Sequence, residues 1–189
     1  MSSRSLYSLT VLIVACGCSS AGALSSSERV QVIKAAVLSS LGEAPYGHPK
    51  GDVAALCLGT DAPGEPPQGT AAEPLYPVPE DILAAVGSGL REATGLEVLD
   101  DSGCKQIPGV GIVTHAENRP ALHVTVFDPN SLGAEQYMVW VGITAAGRWG
   151  HSDRCTVSAS GGIWVAECQT ILIAQTQPSN TRLEQTRCT

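Results

Sequence analysis

Nowhere does this 189-residue chain carry the roughly 20 consecutive apolar residues that a membrane-spanning helix requires. Basic residues are scarce. Eleven Lys and Arg, only three of them Lys, stand against eighteen Asp and Glu, and they form no cluster. An acidic chain without a basic face repels phosphate backbones, so no nucleic acid is expected as a partner. The seven cysteines never fall at Cys-x-x-Cys spacing, and no histidines accompany them at zinc-finger intervals, which excludes the common redox and zinc motifs. Gly-x-Ser-x-Gly, the P-loop, the dinucleotide fingerprint and His-Glu-x-x-His are all missing, so neither a cofactor nor a metal is expected.

What is present begins at the N-terminus. Arg4 is the one charge ahead of an apolar run from Leu9 to Ala15 that is broken only by Thr10. A charged start and a short apolar run make a secretory signal, too short to span a bilayer. The run ends in Ile13-Val14-Ala15-Cys16, which resembles the bacterial lipobox. The resemblance implies that residues 1–15 are a signal peptide and that Cys16 carries acyl chains. The product would be a lipoprotein of the cell envelope, held to a membrane and facing the periplasm. A second cleavage site competes: Ala21-Gly22-Ala23 is an A-x-A signal, and a cut before Leu24 would leave a secreted or soluble periplasmic protein. Without residues 1–15 the charge is about −8, ten basic residues against eighteen acidic.

The cysteines stand at 16, 18, 57, 104, 155, 168 and 188. With Cys16 acylated six remain, an even number; a cut before Leu24 leaves five. In an oxidising compartment disulfides are the expected state, while the state of Cys18 and Cys188 stays open.

Residues 16–27 read as a lipidated Cys and a small, Ser-rich tether. Ser25 and Glu28 form a capping box ahead of Val30, Ile33, Val37, Leu38 and Leu41 at helical spacing, which predicts a helix over 26–41 with Gly42 behind it. Val53 to Gly59 predicts a short buried strand. Residues 59–79 hold six of the twelve prolines and predict an irregular excursion. Pro79-Glu80-Asp81 opens a second helix with Ile82, Leu83, Val86 and Leu90 as its buried stripe, ended by Gly95. Strands are expected over 109–114, 121–127, 137–144, around 154–160 and over 163–173, with tight turns between them. The expected architecture is α+β: an antiparallel β-meander of about four to six strands with two helices packed on one face, in a single domain over 28–174. Residues 175–189 read as a polar tail.

The turn Gly161-Gly162 makes one geometric prediction. A two-residue hairpin turn there opposes Ser160 and Ile163, whose numbers sum to 323; Cys155 and Cys168 share that sum. They fall on a non-hydrogen-bonded pair, with Cα atoms about 4.5–5.5 Å apart, within disulfide range. Val157, Ala159, Trp164 and Ala166 share the cysteine face.

Candidate chemistry is sparse. Ser102-Gly103-Cys104-Lys105 has the Ser-x-x-Lys spacing of serine β-lactamases, but it follows Asp100-Asp101 in a turn and lacks their partner motifs. His48, His115, His123 and His151 are scattered, and Ser152 sits between His151 and Asp153 where an extended chain cannot align nucleophile, base and orienter. Asp100-Asp101-Ser102-Gly103 reads as a turn rather than a calcium loop, and Trp140, Trp149 and Trp164 as core packing. No catalytic residue is expected.

Cys57-Leu58, the helix after the excursion, Ser102-Gly103-Cys104 and the closing Gly162-Ile163-Trp164-Val165 together resemble a set of small exported bacterial proteins of unknown function. The resemblance covers about 53–173 and implies a Cys57–Cys104 link without an activity. The layout of helices followed by a meander is also similar to cystatin-like and nuclear-transport-factor-like architectures. The expected function is therefore non-catalytic: an envelope domain that binds a protein or a small ligand, with the membrane as partner through its anchor. The rivals are an envelope enzyme that uses His123 or His151 with Asp128 or Asp153, and a purely structural domain.

Overall fold

The computed structural model describes residues 23–43, 52–60, 75–146 and 149–174. The signal segment, Cys16, Cys18, His48, most of the Pro-rich excursion, Cys188 and the tail lie outside them. Among the described residues no helix is long and apolar enough to cross a membrane.

The first helix, α1 (Ser26–Glu43), starts on the expected capping box: the Ser25 N–H donates to Glu28 Oε2 at 2.9 Å, and the Glu28 N–H returns to Ser25 Oγ at 3.3 Å. Its buried side is Val32, Ile33, Ala36, Val37 and Ser40, with Val30, Leu38 and Leu41 at the margins.

β1 (Ala55–Gly59) is buried at every position. The chain then crosses through α2 (Glu80–Thr94) to β2 (Glu97–Asp100), which runs parallel to β1 with Ala55 beside Glu97. Pro79 caps the start of α2, and Gly95, at φ 71°, ends it by donating to the Arg91 carbonyl at 2.9 Å. The glycines that weaken this helix serve its packing. A Cβ on Gly87 would meet Val98 at 3.4 Å, and one on Gly89 would meet the Lys34 side chain at 3.0 Å, where α2 passes α1.

A small hairpin of β3 (Cys104–Ile107) and β4 (Gly111–Thr114) follows. After it come β5 (Ala121–Val126), β6 (Asn130–Gly133), β7 (Gln136–Ala146), β8 (Trp149–Ser160) and β9 (Ile163–Ala174). The main sheet has the order β2-β1-β5-β7-β8-β9, with β6 attached to β7. β5 to β9 form an antiparallel meander, but β1 is parallel to both β2 and β5. The sheet is therefore mixed, which corrects the expected all-antiparallel meander. The reason is the α2 crossover, which returns the chain in the same direction. Three strands were not expected: β2, β3 and β6 are four residues each and rich in polar residues or glycine.

Both helices cover one face. The main core joins α1 and α2 to Leu56, Leu58, Val98, Val124, Val126, Val139, Val141, Cys155 and Val157. On the other face Ile112 of the β3–β4 hairpin packs with Ala55, Cys57 and Ala121, and Leu75, Met138, Trp140 and Phe127 form a third cluster. Leu75 and Val78 are buried and Pro77 bridges to Phe127, so the C-terminal end of the Pro-rich stretch is ordered onto the sheet rather than irregular.

Two disulfides staple this frame. Cys57 of β1 is bonded to Cys104 of β3, with Cα atoms 6.0 Å apart. Cys155 and Cys168 are bonded across the β8–β9 hairpin at the register read from Gly161-Gly162, with Ser160 opposite Ile163. Their Cα atoms are 4.0 Å apart, closer than expected. Both sulfurs face α1 beside Ser40 Oγ.

Candidate functional site: the cavity where the parallel strands end

In a β-α-β unit the carboxyl ends of the two parallel strands open on the same side as the N-terminus of the crossover helix, and ligands of α/β sheets gather there. This chain builds such a crevice. Leu58, Gly59 and Thr60 end β1, Asp100 to Ser102 follow β2, and the first three turns of α2 close the side. They enclose about 680 Å³, within the usual range for a small-molecule site. Its floor is apolar, made by Leu58, Leu83, Gly87 and Val98, with Ala84 exposed on the wall. Its rim carries Glu80, Asp100, Asp101 and Ser102.

The rim groups are held in place locally. The Asp100 carboxylate accepts from Ser102 Oγ at 2.6 Å and from the Gly103 N–H at 3.0 Å. The Ser102 hydrogen bond is the main reason its pKa lies below the ordinary aspartate value, so it stays ionised at neutral pH. Arg91 donates through Nη2 to the Val98 carbonyl at 2.8 Å, which ties the helix side of the cavity to β2.

Asp101 reaches over the end of β1 to His123 Nε2 on β5. The approach is possible because Gly59 lies beneath it. His123 stands beside Cys57 in the parallel register, on the sheet face away from the helices. Here the structure departs from the sequence reading, which set Asp128 or Asp153 against the histidines. Asp128 instead meets Arg29 Nε at 3.5 Å, and burial pushes its carboxyl above the usual range against the pull of that guanidinium.

His151 does meet Asp153, Nε2 to Oδ2 at 3.2 Å. Two residues apart on β8, they share the helix-facing side, where Asp153 is 0% exposed. Thr170 Oγ1 donates to the other Asp153 oxygen at 2.8 Å. Ser152, between them, points to the opposite face, as alternation on a strand requires. The two His–Asp pairs are thus on opposite faces of the sheet and do not share a concave site.

The remaining candidates behave as local structure. Ser102 donates to Asp100, and Lys105 Nζ lies 3.5 Å from the His115 carbonyl, so the Ser-x-x-Lys spacing does not become a helical pair. Asp100 to Gly103 is a single 3₁₀ turn. Trp140 is buried, and Trp164 packs edge-on against Tyr137 with ring centroids 5.7 Å apart. Among the described residues no group of three or more His, Cys, Asp or Glu is placed to hold a metal ion.

Sequence reasoning did not single out Glu80, Arg91 or Gly59, because each has a sufficient local role as helix start, helix interior or strand end. The usable signal was an all-apolar strand followed by a helix, the signature of a parallel unit. Comparison with protein-family models, with curated proteins and with solved structures finds no match to this chain.

Proposed function

We propose that this chain is an exported protein of the bacterial envelope, anchored through acyl chains on Cys16, whose domain binds a small ligand in the cavity at the ends of β1 and β2. The cavity carries this reading: about 680 Å³ with an apolar floor and a polar rim held by local hydrogen bonds. The lipobox-like sequence at residues 13–16 and the two disulfides support an exported setting. Such a ligand would place its apolar part against Leu83 and Val98 and a polar or cationic part at the acidic rim.

The test is a thermal-shift screen of amphipathic small molecules against the parent and Ala84→Trp. Ala84 is an exposed helix position at the cavity wall, so the indole fills space with little demand on the core. Ligands that stabilise the parent and not the variant support the site. Equal stabilisation of both, or of neither, speaks against it. A second reading, proton transfer by His123, is favoured by its pairing with Asp101 at the cavity's edge. It requires a reaction that His123→Ala abolishes while ligand binding persists.

A further inference from the structure

The chain from Cys16 to Ala23 reaches no more than about 25 Å when fully extended. If Cys16 is acylated, the N-terminal end of α1 is therefore held close to a bilayer. The structure specifies what else is gathered at that end. Ala23, Leu24 and Glu28 at the start of α1 share a hollow of about 480 Å³ with Glu135, Gly162, Ile163 and Trp164. The tips of the β6–β7 and β8–β9 hairpins thus stand beside the point where the tether enters the domain.

These tips carry exposed apolar side chains. Ile163 is 66% exposed, Leu132 46% and Val165 42%, and Ile163 is the most exposed of the large apolar side chains described. Ile163 flanks the Gly161-Gly162 turn, with Val165 two residues on, and Leu132 lies two residues before the Ala134-Glu135 tip. Trp164 lies between Ile163 and Val165 in sequence, partly exposed, with its ring against Tyr137. Apolar tips with an aromatic behind them match the headgroup boundary of a bilayer, where amphipathic rings settle. Charge at this end is acidic, from Glu28 and Glu135, so attraction to anionic headgroups makes no contribution.

We infer that the tethered end of the domain lies against the phospholipid surface, with Ile163 and Leu132 entering the headgroup layer of a neutral or zwitterionic leaflet. The inference rests on the proposed acylation of Cys16. The anchor supplies the affinity by holding the patch at high local concentration, and the apolar tips set the orientation.

The experiment uses the acylated full-length chain in phosphatidylcholine vesicles that contain headgroup-nitroxide lipid, with tryptophan emission as the readout. Emission should be quenched, the quenched component should disappear in Trp164→Phe, and Ile163→Asp combined with Leu132→Asp should reduce it while the chain stays on the vesicles. Quenching that is unchanged in Trp164→Phe, on a chain whose acyl chains are confirmed by mass spectrometry, overturns the orientation and leaves the anchor standing. Quenching that falls as the protein-to-lipid ratio rises overturns it in favour of contact with a second copy. A mature chain without acyl groups overturns the orientation and the anchored reading together.

Discussion

Asp101 lies across the end of β1 directly over Gly59: a Cβ built on Gly59 would stand 3.2 Å from the Asp101 Cβ and 3.3 Å from its Cγ. The contact to His123 depends on that vacancy. Gly59→Ala should therefore destabilise the domain by about 1–3 kcal/mol through overpacking. Removing the opposing side chain relieves the clash, so the same substitution in an Asp101→Gly background should be nearly neutral. Urea unfolding of the four proteins gives the coupling; additive effects would refute the contact.

The two disulfides should contribute unequally. Cys57–Cys104 closes a loop of about 48 residues and Cys155–Cys168 one of about 14, worth about 4 and about 3 kcal/mol on the chain-entropy account. Replacement of each pair by Ala should lower stability in that order, measured by denaturant unfolding. Peptide mapping without reductant should recover both linkages, and free thiols at these four positions would contradict the structure.

The Asp100 carboxyl titrates lower in the folded chain than in the unfolded one, chiefly because Ser102 donates to it. A carboxyl with a depressed folded pKa contributes stability above its unfolded value, and this is lost as the pH falls through the folded value. Ser102→Ala should accordingly be less stable than the parent at neutral pH, with the gap closing as the pH drops below about 3.9. A gap that does not change with pH would show that the hydroxyl acts otherwise.

Asp153 is fully buried between His151 and Thr170. Asp153→Ala leaves both partners without it and should cost about 3 kcal/mol, the scale for breaking a buried polar pair. Thr170→Val, which removes one hydrogen bond, should cost about 1 kcal/mol. Thermal unfolding reports both, and an unaltered midpoint in Asp153→Ala would deny the pair a structural role.

Cys16→Ser should release the chain from membranes or leave its precursor uncut. Fractionation and N-terminal sequencing check this, and a mature terminus at Leu24 would establish the competing cleavage instead.

Local signals in the sequence carried far. Gly161-Gly162 set the register of β8 and β9 as far as Cys155 and Cys168, and Pro79 and Gly95 bounded α2, because each acts through backbone geometry within a few residues. Pairing between distant segments was not legible. β2 reads Glu-Val-Leu-Asp, a poor strand by propensity, and becomes one because β1 offers it an unpaired edge after the α2 crossover. β1 held a clue in its unbroken apolar run, since a strand buried on both faces fits a parallel neighbourhood. The cavity shared this fate: its lining residues come from three separated segments, brought together only by that crossover.

Ser40 Oγ stands 3.4 Å from the sulfur of Cys155 and 3.6 Å from that of Cys168, and the Ala36 carbonyl lies 3.9 and 3.7 Å from the same atoms. An attacking thiolate needs a clear line to sulfur; α1 covers the fully buried Cys155 and narrows the approach to the partly exposed Cys168. The settled helix therefore slows exchange at this bond, most of all at the Cys155 sulfur. The rate at which a small reductant opens Cys155–Cys168 is then a clock for the lifting of α1, readable without any label on the helix.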